Sequence, residues 1–570
     1  MKNRINNSDL EVELSDVLSK ARQYKFDSLK GIQKESNPNH YYDDDISRTI
    51  SEIFSDEISV YPILGDLIRF LGGLLKKRTP IKPQEFIKIA INKLFDENLS
   101  REEISELTKI CEVRSNLLLP FMNGGPAGEN WNNSKNGFYD WITNKSQESI
   151  LGIELGFKAD DYGLEVSKKL IDKKKANPDM IIRILVDGFV SLLMQKPPSS
   201  LEQFEQNTLT MIEGMEKSGI EVIVNNSFNP VSTNFLAANH IKLWIFDGTA
   251  AFFGGIGIES QFRSLMYDEM DLVQGPFVRI LTMMALLLMK NQKADYDAHF
   301  DKKPNPSFIK DEIMKYFVKE IPEQGNITLR LSMNVPGYVQ DAQKDYVELL
   351  TREDVQEIFI LVPYFSDHKV ARGLVKVANR LYNKLAREKE NELKSRSKDS
   401  TISRKDIDNE LSKDKKIHVI FPTKQENVII ADVSKYYAYY LRNNPIVETR
   451  QFFAKSQNME YQMLHAKQMV VILKDDEKNW TKYVKFGGSY NPAGRAQNMW
   501  ELNAIQFRGK WDESDDVLGT HESNPIKDYL NDVMKTVLNK YTEPFYWGTV
   551  NAKLSIPEII AMNIARRLWF

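Results

Sequence analysis

The chain has 570 residues, of which 42% are hydrophobic and 27% charged, and its formal net charge is -3. This length is more than one hydrophobic core usually supports, so two or three domains are expected. The near-balance of charge argues against a protein that mainly wraps nucleic acid. The single cysteine, Cys111, excludes an internal disulfide and a cysteine-based zinc site.

The first part of the chain, residues 1–122, is predicted to be a helical domain, because its apolar residues recur at helical spacing. One apolar face runs over residues 63–75 and is followed by the basic triplet 76–78. Two interpretations are open, a core helix with a charged end or a helix that lies on a membrane surface. The C-terminal residues 566–570, rich in aromatic and basic side chains, are a second candidate contact with a headgroup layer.

Targeting and membrane-spanning segments are not predicted. Residues 1–30 are polar and charged, which does not fit a cleaved signal peptide. The longest apolar runs, 63–75 and 278–289, are shorter than the roughly 20 residues that a spanning helix requires. We therefore expect a protein that is cytoplasmic, or exported without a cleaved N-terminal signal.

The rest of the chain alternates predicted strands and helices twice, a pattern typical of largely parallel sheets covered by helices. The first set of strands is predicted over residues 149–157, 181–186, 219–224 and 268–273, and the second over 327–333, 357–362 and 417–421. Residues 386–416 are almost wholly charged and polar. They are interpreted as a solvated helix extension or a disordered insertion.

His240 and Lys242 open a predicted hairpin. Residues two apart on a strand point to the same side, so these two side chains project together. Four apolar residues, the turn pair Asp247-Gly248 and a second strand ending at Gly254-Gly255 follow them.

The same pattern returns far downstream. His465 and Lys467 precede an apolar run, a polar turn and a strand that reaches Gly487-Gly488, and Ser489 and Asn491 follow. A single His-x-Lys triplet is expected by chance among seven histidines. Two copies that each open a hairpin closing on a glycine pair indicate an internal duplication.

These paired motifs resemble those of the phospholipase D superfamily, in which His-x-Lys-x4-Asp occurs twice and each copy is followed by Gly-Gly or Gly-Ser-x-Asn. The segment from Asp268 to Gly275-Pro276 and the strand end 363–365 are also similar to bacterial phospholipases D and cardiolipin synthases. The resemblance implies a bilobal α/β fold of two pseudo-symmetric α/β/α sandwich lobes, residues 123–318 and 319–570, which follow the helical domain in the sequence. One active site would lie between the lobes.

Two departures from the family pattern affect the expected site. Gly257 stands where the family has asparagine after the first glycine pair, so one donor to the phosphate is missing. In the second copy Ile472 occupies the aspartate position, and Asp475 and Asp476 follow on a longer hairpin. We interpret this aspartate mainly as a hairpin-turn residue and expect the site to survive.

A phosphodiester is anionic, so its cleavage requires cations around the phosphoryl oxygens and a nucleophile held in line. Lys242 and Lys467 supply the charge, and Ser489 and Asn491 can add neutral donors. One imidazole would attack phosphorus while the other protonates the leaving alkoxide. No spacing of His, Asp and Glu resembles a metal site, so neither a metal nor another cofactor is predicted.

The resemblance implies a role for each member of the set. His240 would be the nucleophile that forms a phosphohistidine and His465 the general acid, with Asp268 orienting His240 and Glu501 orienting His465. Surface positions for the two carboxylates are the alternative. The expected catalytic residues are His240, Lys242, Asp247, Asp268, His465, Lys467 and Glu501, and the expected phosphate-binding residues are Gly255, Ser489 and Asn491.

The implied reaction is cleavage of a glycerophospholipid to phosphatidic acid, with transfer to an alcohol as a further reaction. The expected partners are a phospholipid bilayer surface, contacted peripherally, and water or an alcohol, with the protein acting as a monomer and nucleic acid not expected to bind. Two alternatives stay open, a nuclease of the same superfamily and a non-catalytic lipid-binding scaffold. Fold alone does not decide among them.

Overall fold

The computed structural model describes residues 116–122, 132–187, 201–225, 239–264, 266–291, 316, 321–335, 339–396, 402–422, 438, 441, 444–452, 463–493, 499–515 and 524–544. All of them belong to one compact unit of the chain. Of the predicted helical domain 1–122 only residues 116–122 are described, and there Leu117–Met122 form a strand of the first sheet, so the helical prediction is wrong for this end. The apolar face 63–75 and the C-terminal residues 566–570 lie outside the described residues. Within the described part, none of the helices is long and apolar enough to cross a bilayer.

The first β-sheet is mixed. Its half of the chain contains β1 (Leu117–Met122), β2 (Ser149–Glu154), β3 (Ile181–Asp187), β4 (Glu221–Asn225), β5 (Leu243–Phe246), β6 (Ala250–Gly254), β7 (Met266–Tyr267) and β8 (Glu269–Gln274). All but β7 form one sheet in the order β1-β8-β6-β5-β2-β3-β4. Only β2, β3 and β4 are parallel neighbours, and the other pairs are antiparallel.

The second sheet is larger. Its half contains β9 (Ile327–Val335), β10 (Val339–Gln340), β11 (Val355–Leu361), β12 (Ile417–Phe421), β13 (Val447–Phe452), β14 (Met463–Leu464), β15 (Gln468–Asp475), β16 (Trp480–Gly488), β17 (Glu501–Arg508) and β18 (Thr542–Pro544). The order is β10-β9-β17-β16-β15-β11-β12-β13-β18. Without the edge strands β10 and β18, the other seven strands repeat the order and directions of the first sheet.

The prediction of largely parallel sheets is wrong, because each histidine motif forms an antiparallel hairpin. In the first hairpin Asp247 and Gly248 have φ values of 53° and 63°, and the Thr249 amide donates to the Phe246 carbonyl at 3.0 Å, which closes a tight turn between antiparallel strands. In the second, the eight-residue β15 replaces the four-residue β5. The added length explains why the glycine pair comes later in the second motif.

Helices cover both sheets. They are α1 (Phe138–Asp140, continuing as a π-helical turn Trp141–Lys145), α2 (Asp161–Ala176), α3 (Leu201–Lys217), α4 (Ser260–Ser264), α5 (Phe277–Asn291), α6 (Asp341–Thr351), α7 (His368–Arg396), α8 (Arg404–Leu411), α9 (Pro525–Asp528, continuing as a π-helical segment Tyr529–Met534) and α10 (Lys535–Lys540). Helices α2 and α3 pack on the outer face of the first sheet. Helices α6, α7 and α8 pack on the outer face of the second.

A shared core lies between the two sheets. It includes α5, residues of both sheets and the segment that contains α9 and α10. Helix α5 is apolar nearly all round, and a helix of this kind is expected to be buried. Phe277, Leu281 and Leu286 are fully buried in this core. The sequence prediction of an apolar helix over residues 278–289 is confirmed. Because both sheets contribute to one core, a rigid site can form between them.

The charged segment 386–416 is a packed helical element where the structure describes it. Helix α7 runs to Arg396, and α8 begins with a capping box in which Ser403 and Asp406 satisfy each other's backbone amides. Ile407 and Leu411 are 5% and 8% exposed and belong to the outer core of the second sheet. The interpretation as a helix extension is thus confirmed for residues 386–396, whereas residues 404–411 form a second helix that packs in the core.

Replacement of residues 386–416 by a short Gly/Ser linker is therefore expected to lower the free energy of unfolding by about 3–5 kcal/mol, because two large apolar side chains lose their burial. Denaturant unfolding would measure this. The double variant Lys394→Ala/Arg396→Ala, at exposed positions of the same segment, is the control and should change stability little. An unchanged midpoint for the linker variant would show that α8 contributes no stability.

Candidate active site

The two histidine segments are bound by backbone hydrogen bonds to the opposite half of the chain. The His240 amide donates to the Trp500 carbonyl at 3.0 Å, immediately before β17. The His465 amide donates to the Tyr267 carbonyl at 2.8 Å, where β14 and β7 pair in parallel, and Asp268 alone separates Tyr267 from β8. Each histidine therefore lies beside the carboxylate strand of the other sheet.

These backbone contacts between the two halves of the chain determine which carboxylate orients which imidazole. His240 Nδ1 lies 3.0 Å from Glu501 Oε2, and His465 Nδ1 lies 2.5 Å from Asp268 Oδ2. The expected pairing, Asp268 with His240 and Glu501 with His465, is wrong. It assumed contacts within one half of the chain, whereas the backbone pairing places each carboxylate across the boundary. A carboxylate acceptor at Nδ1 fixes the tautomer of the ring, so that Nε2 is the nitrogen able to act as a nucleophile or base.

The site is almost sealed from solvent. His240 and His465 are 6% and 7% exposed, and Asp268 and Glu501 are fully buried. Ionised groups in such a place are costly unless they are paired. The two histidine–carboxylate pairs, with a lysine beside each, satisfy this requirement.

The two lysines are held by the histidine segments themselves. Lys242 Nζ donates to the His240 carbonyl at 3.1 Å, and Lys467 Nζ donates to the His465 carbonyl at 2.6 Å. Lys467 Nζ also lies 2.8 Å from His465 Nδ1 and 3.7 Å from Asp268 Oδ2. The prediction that the lysine and the histidine of each motif project together is met in the second copy, where Lys467 Nζ contacts the His465 ring. In the first copy Lys242 Nζ contacts the backbone of His240. Both His-x-Lys segments precede the strands β5 and β15 and do not lie on them.

Burial shifts the protonation equilibria of this site. It lowers the pKa of Lys242, lowers that of Lys467 to about 8, and raises the pKa of Glu501 well above its usual range. Burial first and Lys467 second lower the pKa of His465 to about 4. A bound anion would favour the charged forms of both the lysines and the imidazole.

Because the pKa of Lys467 is about 8, we expect the kcat/KM for a soluble phosphodiester to fall as pH rises above about 8. The ammonium loses its proton there, and its attraction for the phosphoryl oxygens is lost. Lys467→Arg should move this alkaline limb upward, since a guanidinium keeps its proton in that range. A pH profile of both proteins measures the shift. An identical alkaline limb in the two proteins would assign it to another group.

The three predicted phosphate-binding residues, Ser489, Asn491 and Gly255, differ in their surroundings. Ser489 Oγ donates to Glu501 Oε2 and accepts from the Leu502 amide, so it supports the carboxylate. Asn491 is 5% exposed, and within the described residues its Oδ1 has no hydrogen-bond partner. Gly255 leaves room for Asp268, because a Cβ there would lie 2.1 Å from Asp268 Oδ1.

Asp247, included in the catalytic set by the resemblance, has a structural role. Its carboxylate accepts hydrogen bonds of 2.7–2.8 Å from the amides of residues 147, 148 and 149. It therefore fixes the hairpin turn to the start of β2. Ile472 can replace the corresponding aspartate because the second hairpin has a different turn.

Four further residues around the site were not predicted. The rings of Phe262 and His465 meet edge to face with centroids 5.0 Å apart, and the rings of Tyr364 and His465 do so at 6.1 Å. Phe262 also occupies the space beside Gly257, where a Cβ would lie 3.1 Å from the phenyl ring. The Phe262 ring therefore occupies the space that the side chain of an asparagine at position 257 would enter.

The other two are carboxylates. Glu154, at the end of β2, is fully buried and accepts a hydrogen bond from the Trp244 indole. Burial raises the pKa of Glu154 well above its usual range, and Lys242 opposes this shift. Glu259 forms a 2.5 Å ion pair with Lys158. Glu154 could have been identified from the sequence as a candidate site residue, because it is a single carboxylate at the end of an apolar strand. The sequence contains no comparable indication for Phe262.

A second buried polar cluster joins the sheets next to Asp268. Lys485 Nζ, on β16, contacts Asp271 Oδ1 at 2.8 Å and Glu269 Oε1 at 3.0 Å, both on β8. Tyr529 donates to Glu269 Oε2 and Gln506 donates to Asp271 Oδ2, each at 2.7 Å. The cluster fixes β8, and with it Asp268, against the second sheet.

Comparison with known proteins supports the architecture. No model of a protein family matches the chain, and no curated protein matches it. Among solved structures it is similar to a phosphatidylserine synthase from Haemophilus influenzae Rd KW20, with a TM-score of 0.51 and 13% identity over 81% of this chain and 97% of that chain. The chain shares the fold of this synthase. A polyphosphate kinase from Porphyromonas gingivalis matches at a TM-score of 0.35 and 9% identity, over 79% of this chain and 55% of that chain, which is too distant to bear on the argument.

At such low identity the likeness concerns the fold alone. The α/β fold class of the prediction is confirmed. The activity is a separate question, which depends on the chemistry of the site.

Proposed function

We propose that the protein is a phospholipase D-type phosphodiesterase that transfers the phosphatidyl group of a glycerophospholipid to water or to an alcohol. One observation carries this proposal. Two buried imidazoles, each with Nδ1 on a carboxylate from the other half of the chain and each beside a lysine, lie at the boundary between the two sheets.

We also propose that two pseudo-symmetric lobes share this site, residues 123–318 together with the preceding strand β1, and residues 319–570. The repeated order of seven strands and the reciprocal histidine contacts support it. The likeness in fold to a protein named phosphatidylserine synthase supports a phospholipid as the substrate class. The protein would act as a monomer, peripherally at a bilayer.

The reaction proceeds in two steps. In the first, Nε2 of one imidazole attacks phosphorus, the bond from phosphorus to the headgroup oxygen breaks, and the other imidazolium gives its proton to the leaving alkoxide. In the second, water or an alcohol gives a proton to that neutral imidazole and attacks phosphorus, and the nitrogen–phosphorus bond breaks. Lys242 and Lys467 stabilise the oxygens in both steps.

The resemblance assigns the nucleophile to His240 and the acid to His465. Burial and the neighbouring Lys467 lower the pKa of His465 to about 4, so this histidine is neutral near pH 7. An acid role then requires the anionic phosphodiester to bind first and raise that pKa. The opposite assignment, with neutral His465 as nucleophile, is the second candidate.

The proposal is tested with purified protein, liposomes and ethanol. A phosphatidylethanol product that grows at the expense of phosphatidic acid is the expected result, whereas tertiary butanol should give no adduct because its bulk hinders attack. A chelator should leave turnover of a soluble short-chain phospholipid unchanged, since lysines and imidazoles supply the charge stabilisation that a metal would give. Cleavage of an oligonucleotide without any phosphatidylalcohol would favour the nuclease, and inertness toward both substrates would favour the scaffold.

A further inference from the structure

The two halves of the chain place different side chains opposite their catalytic lysines. In the first half the register of β2 and β5, continued by one residue, places Glu154 opposite Lys242. In the second half the register of β11 and β15, continued in the same way, places Val362 opposite Lys467. Glu154 and Val362 are both buried. The first half therefore has a carboxyl group where the second half has an apolar side chain.

The loops that follow the two glycine pairs differ in the opposite sense. Gly254 and Gly488 end the equivalent strands β6 and β16, so Gly257 and Asn491 hold equivalent positions in the loops. The second half has a buried amide group at this position, whereas the first half has no side chain there. Each half thus has one polar side chain at these two places, but at a different place in each half.

In the first half the two places lie close together. Phe157, which follows shortly after Glu154, forms a parallel β-bridge with Ile258, the residue after Gly257. Burial raises the pKa of Glu154, and the Ile258 amide is among the groups that oppose this shift, so the carboxyl group lies near that amide. Glu154 therefore supplies a polar group beside the loop, although Gly257 itself supplies none.

The Glu154 carboxyl group also lies close to the ammonium group that is expected to bind the phosphoryl oxygens. Burial lowers the pKa of Lys242, and among the carboxyl groups that oppose this shift Glu154 has the largest effect, ahead of Glu501 and Asp268. The Lys242 carbonyl accepts from the Gly254 amide at 3.3 Å, which holds the lysine between β2 and β6. Glu154 thus belongs to the surroundings of the catalytic site.

One oxygen of Glu154 has a partner and the other does not. Oε1 accepts a hydrogen bond from the Trp244 indole. Oε2 is buried, and within the described residues it has no hydrogen-bond partner. A buried polar atom without a partner is costly, so this oxygen is available to a group that enters the site.

The surroundings favour the protonated form of this carboxyl group. Burial raises the pKa of Glu154 well above its usual range, and Glu259, itself paired with Lys158, adds to the increase, while Lys242 opposes it. Because Oε1 accepts from Trp244, the proton belongs on Oε2. Oε2 then carries an O–H donor for which no described residue supplies an acceptor.

We propose that Glu154 binds the substrate as a neutral carboxylic acid, with Oε2–H donating a hydrogen bond to a phosphoryl oxygen. It is the counterpart in the first half of the Asn491 amide in the second. A buried carboxylic acid kept neutral near pH 7 is an effective donor to an oxyanion. The inference rests on the proposed function only in that the bound group is a phosphodiester.

The test compares Glu154→Gln with Glu154→Met in the full chain, by release of nitrophenol from a short-chain phosphatidyl nitrophenol. Glutamine keeps a neutral donor and an acceptor for the indole, whereas methionine has a similar length and neither group. We expect Glu154→Met to lower kcat/KM by about 10²-fold, as for loss of one donor to a developing oxyanion, and Glu154→Gln to lower it by less than about tenfold. Equal losses in the two variants, or no loss in Glu154→Met, would overturn the inference.

Methionine also leaves the Trp244 indole without its acceptor, and this effect is measured separately. Trp244→Phe removes the indole donor alone and should lower kcat/KM much less than Glu154→Met does. In the double variant Glu154→Met/Trp244→Phe the loss caused by Glu154→Met should persist. Recovery of kcat/KM in the double variant would assign the loss to the unpaired indole and would overturn the inference.

The protonation state of Glu154 has a spectroscopic signature. An infrared difference spectrum between the wild type and Glu154→Gln, recorded at about pH 7, should contain the carbonyl band of one protonated carboxyl group. The bands of an ionised carboxylate in its place would overturn the inference.

Binding of inorganic phosphate separates this inference from the proposed function. The ring-nitrogen NMR signals of the histidines report the binding, which should be much weaker in Glu154→Met than in Glu154→Gln or the wild type. Equal binding by the three proteins, or no binding by any of them, would overturn the inference. If phosphate binding depends on Glu154 in this way but the wild type turns over no phospholipid, the proposed function is contradicted and the role of Glu154 is supported.

Discussion

His240→Ala and His465→Ala are each expected to reduce turnover by at least about 10³-fold, because residues of one catalytic constellation act as a unit. Initial rates on a soluble short-chain phospholipid measure the effect without any contribution from membrane binding. Removal of either imidazole deprives the reaction of its nucleophile or of its proton donor.

A matched control is available in His418. It is 8% exposed, comparable to the catalytic histidines, but it pairs with Glu448 and stacks on Phe359 in the second sheet. His418→Ala should retain most of the turnover at a temperature where the protein is folded. Retention of a tenth of wild-type activity in His240→Ala would exclude it from the catalytic centre.

Asp268→Asn and Glu501→Gln should each lower turnover on the order of 10³- to 10⁴-fold, the range known for loss of a carboxylate that orients a catalytic imidazole. The crossed pairing makes a sharper claim about which histidine responds. Asp268→Asn should change the ring-nitrogen signals of His465 in a nitrogen NMR spectrum, and Glu501→Gln should change those of His240.

The pattern of these changes separates the two pairings. Asp268→Asn that altered the signals of His240, with His465 untouched, would contradict the crossed arrangement. Ser489→Ala is a useful companion, because Ser489 donates to Glu501. Its effect should be smaller than that of Glu501→Gln and should fall on His240.

The residues of the site could be predicted from the sequence because the two motifs are local. Each motif consists of a histidine and a lysine two residues apart, a hairpin and a glycine pair, all within about 25 residues, so that local sequence is enough to identify it. The structure brings His240, Lys242, His465 and Lys467 to one site, although each His-x-Lys segment precedes its strand and does not lie on it.

The partners of these residues could not be predicted in the same way, since they depend on contacts across the chain. His240 and Glu501 are 261 positions apart, and their contact follows from the pairing of Asn239 with Trp500 between the two sheets. The mixed character of the sheets also escaped prediction, because a buried strand shows the same apolar run whether its neighbour is parallel or antiparallel.

The central claim is that one imidazole of the pair becomes covalently bonded to phosphorus. The direct test is mass spectrometry of a base-quenched reaction with a short-chain phosphatidyl nitrophenol, whose nitrophenolate leaves without a proton from the enzyme. His465→Ala should then accumulate a phosphatidyl adduct on His240, because the second step lacks its base, and His240→Ala should form none. An adduct on His465 in His240→Ala would exchange the two roles. Absence of an adduct from both variants and from the wild type, while nitrophenol is still released, would contradict the account.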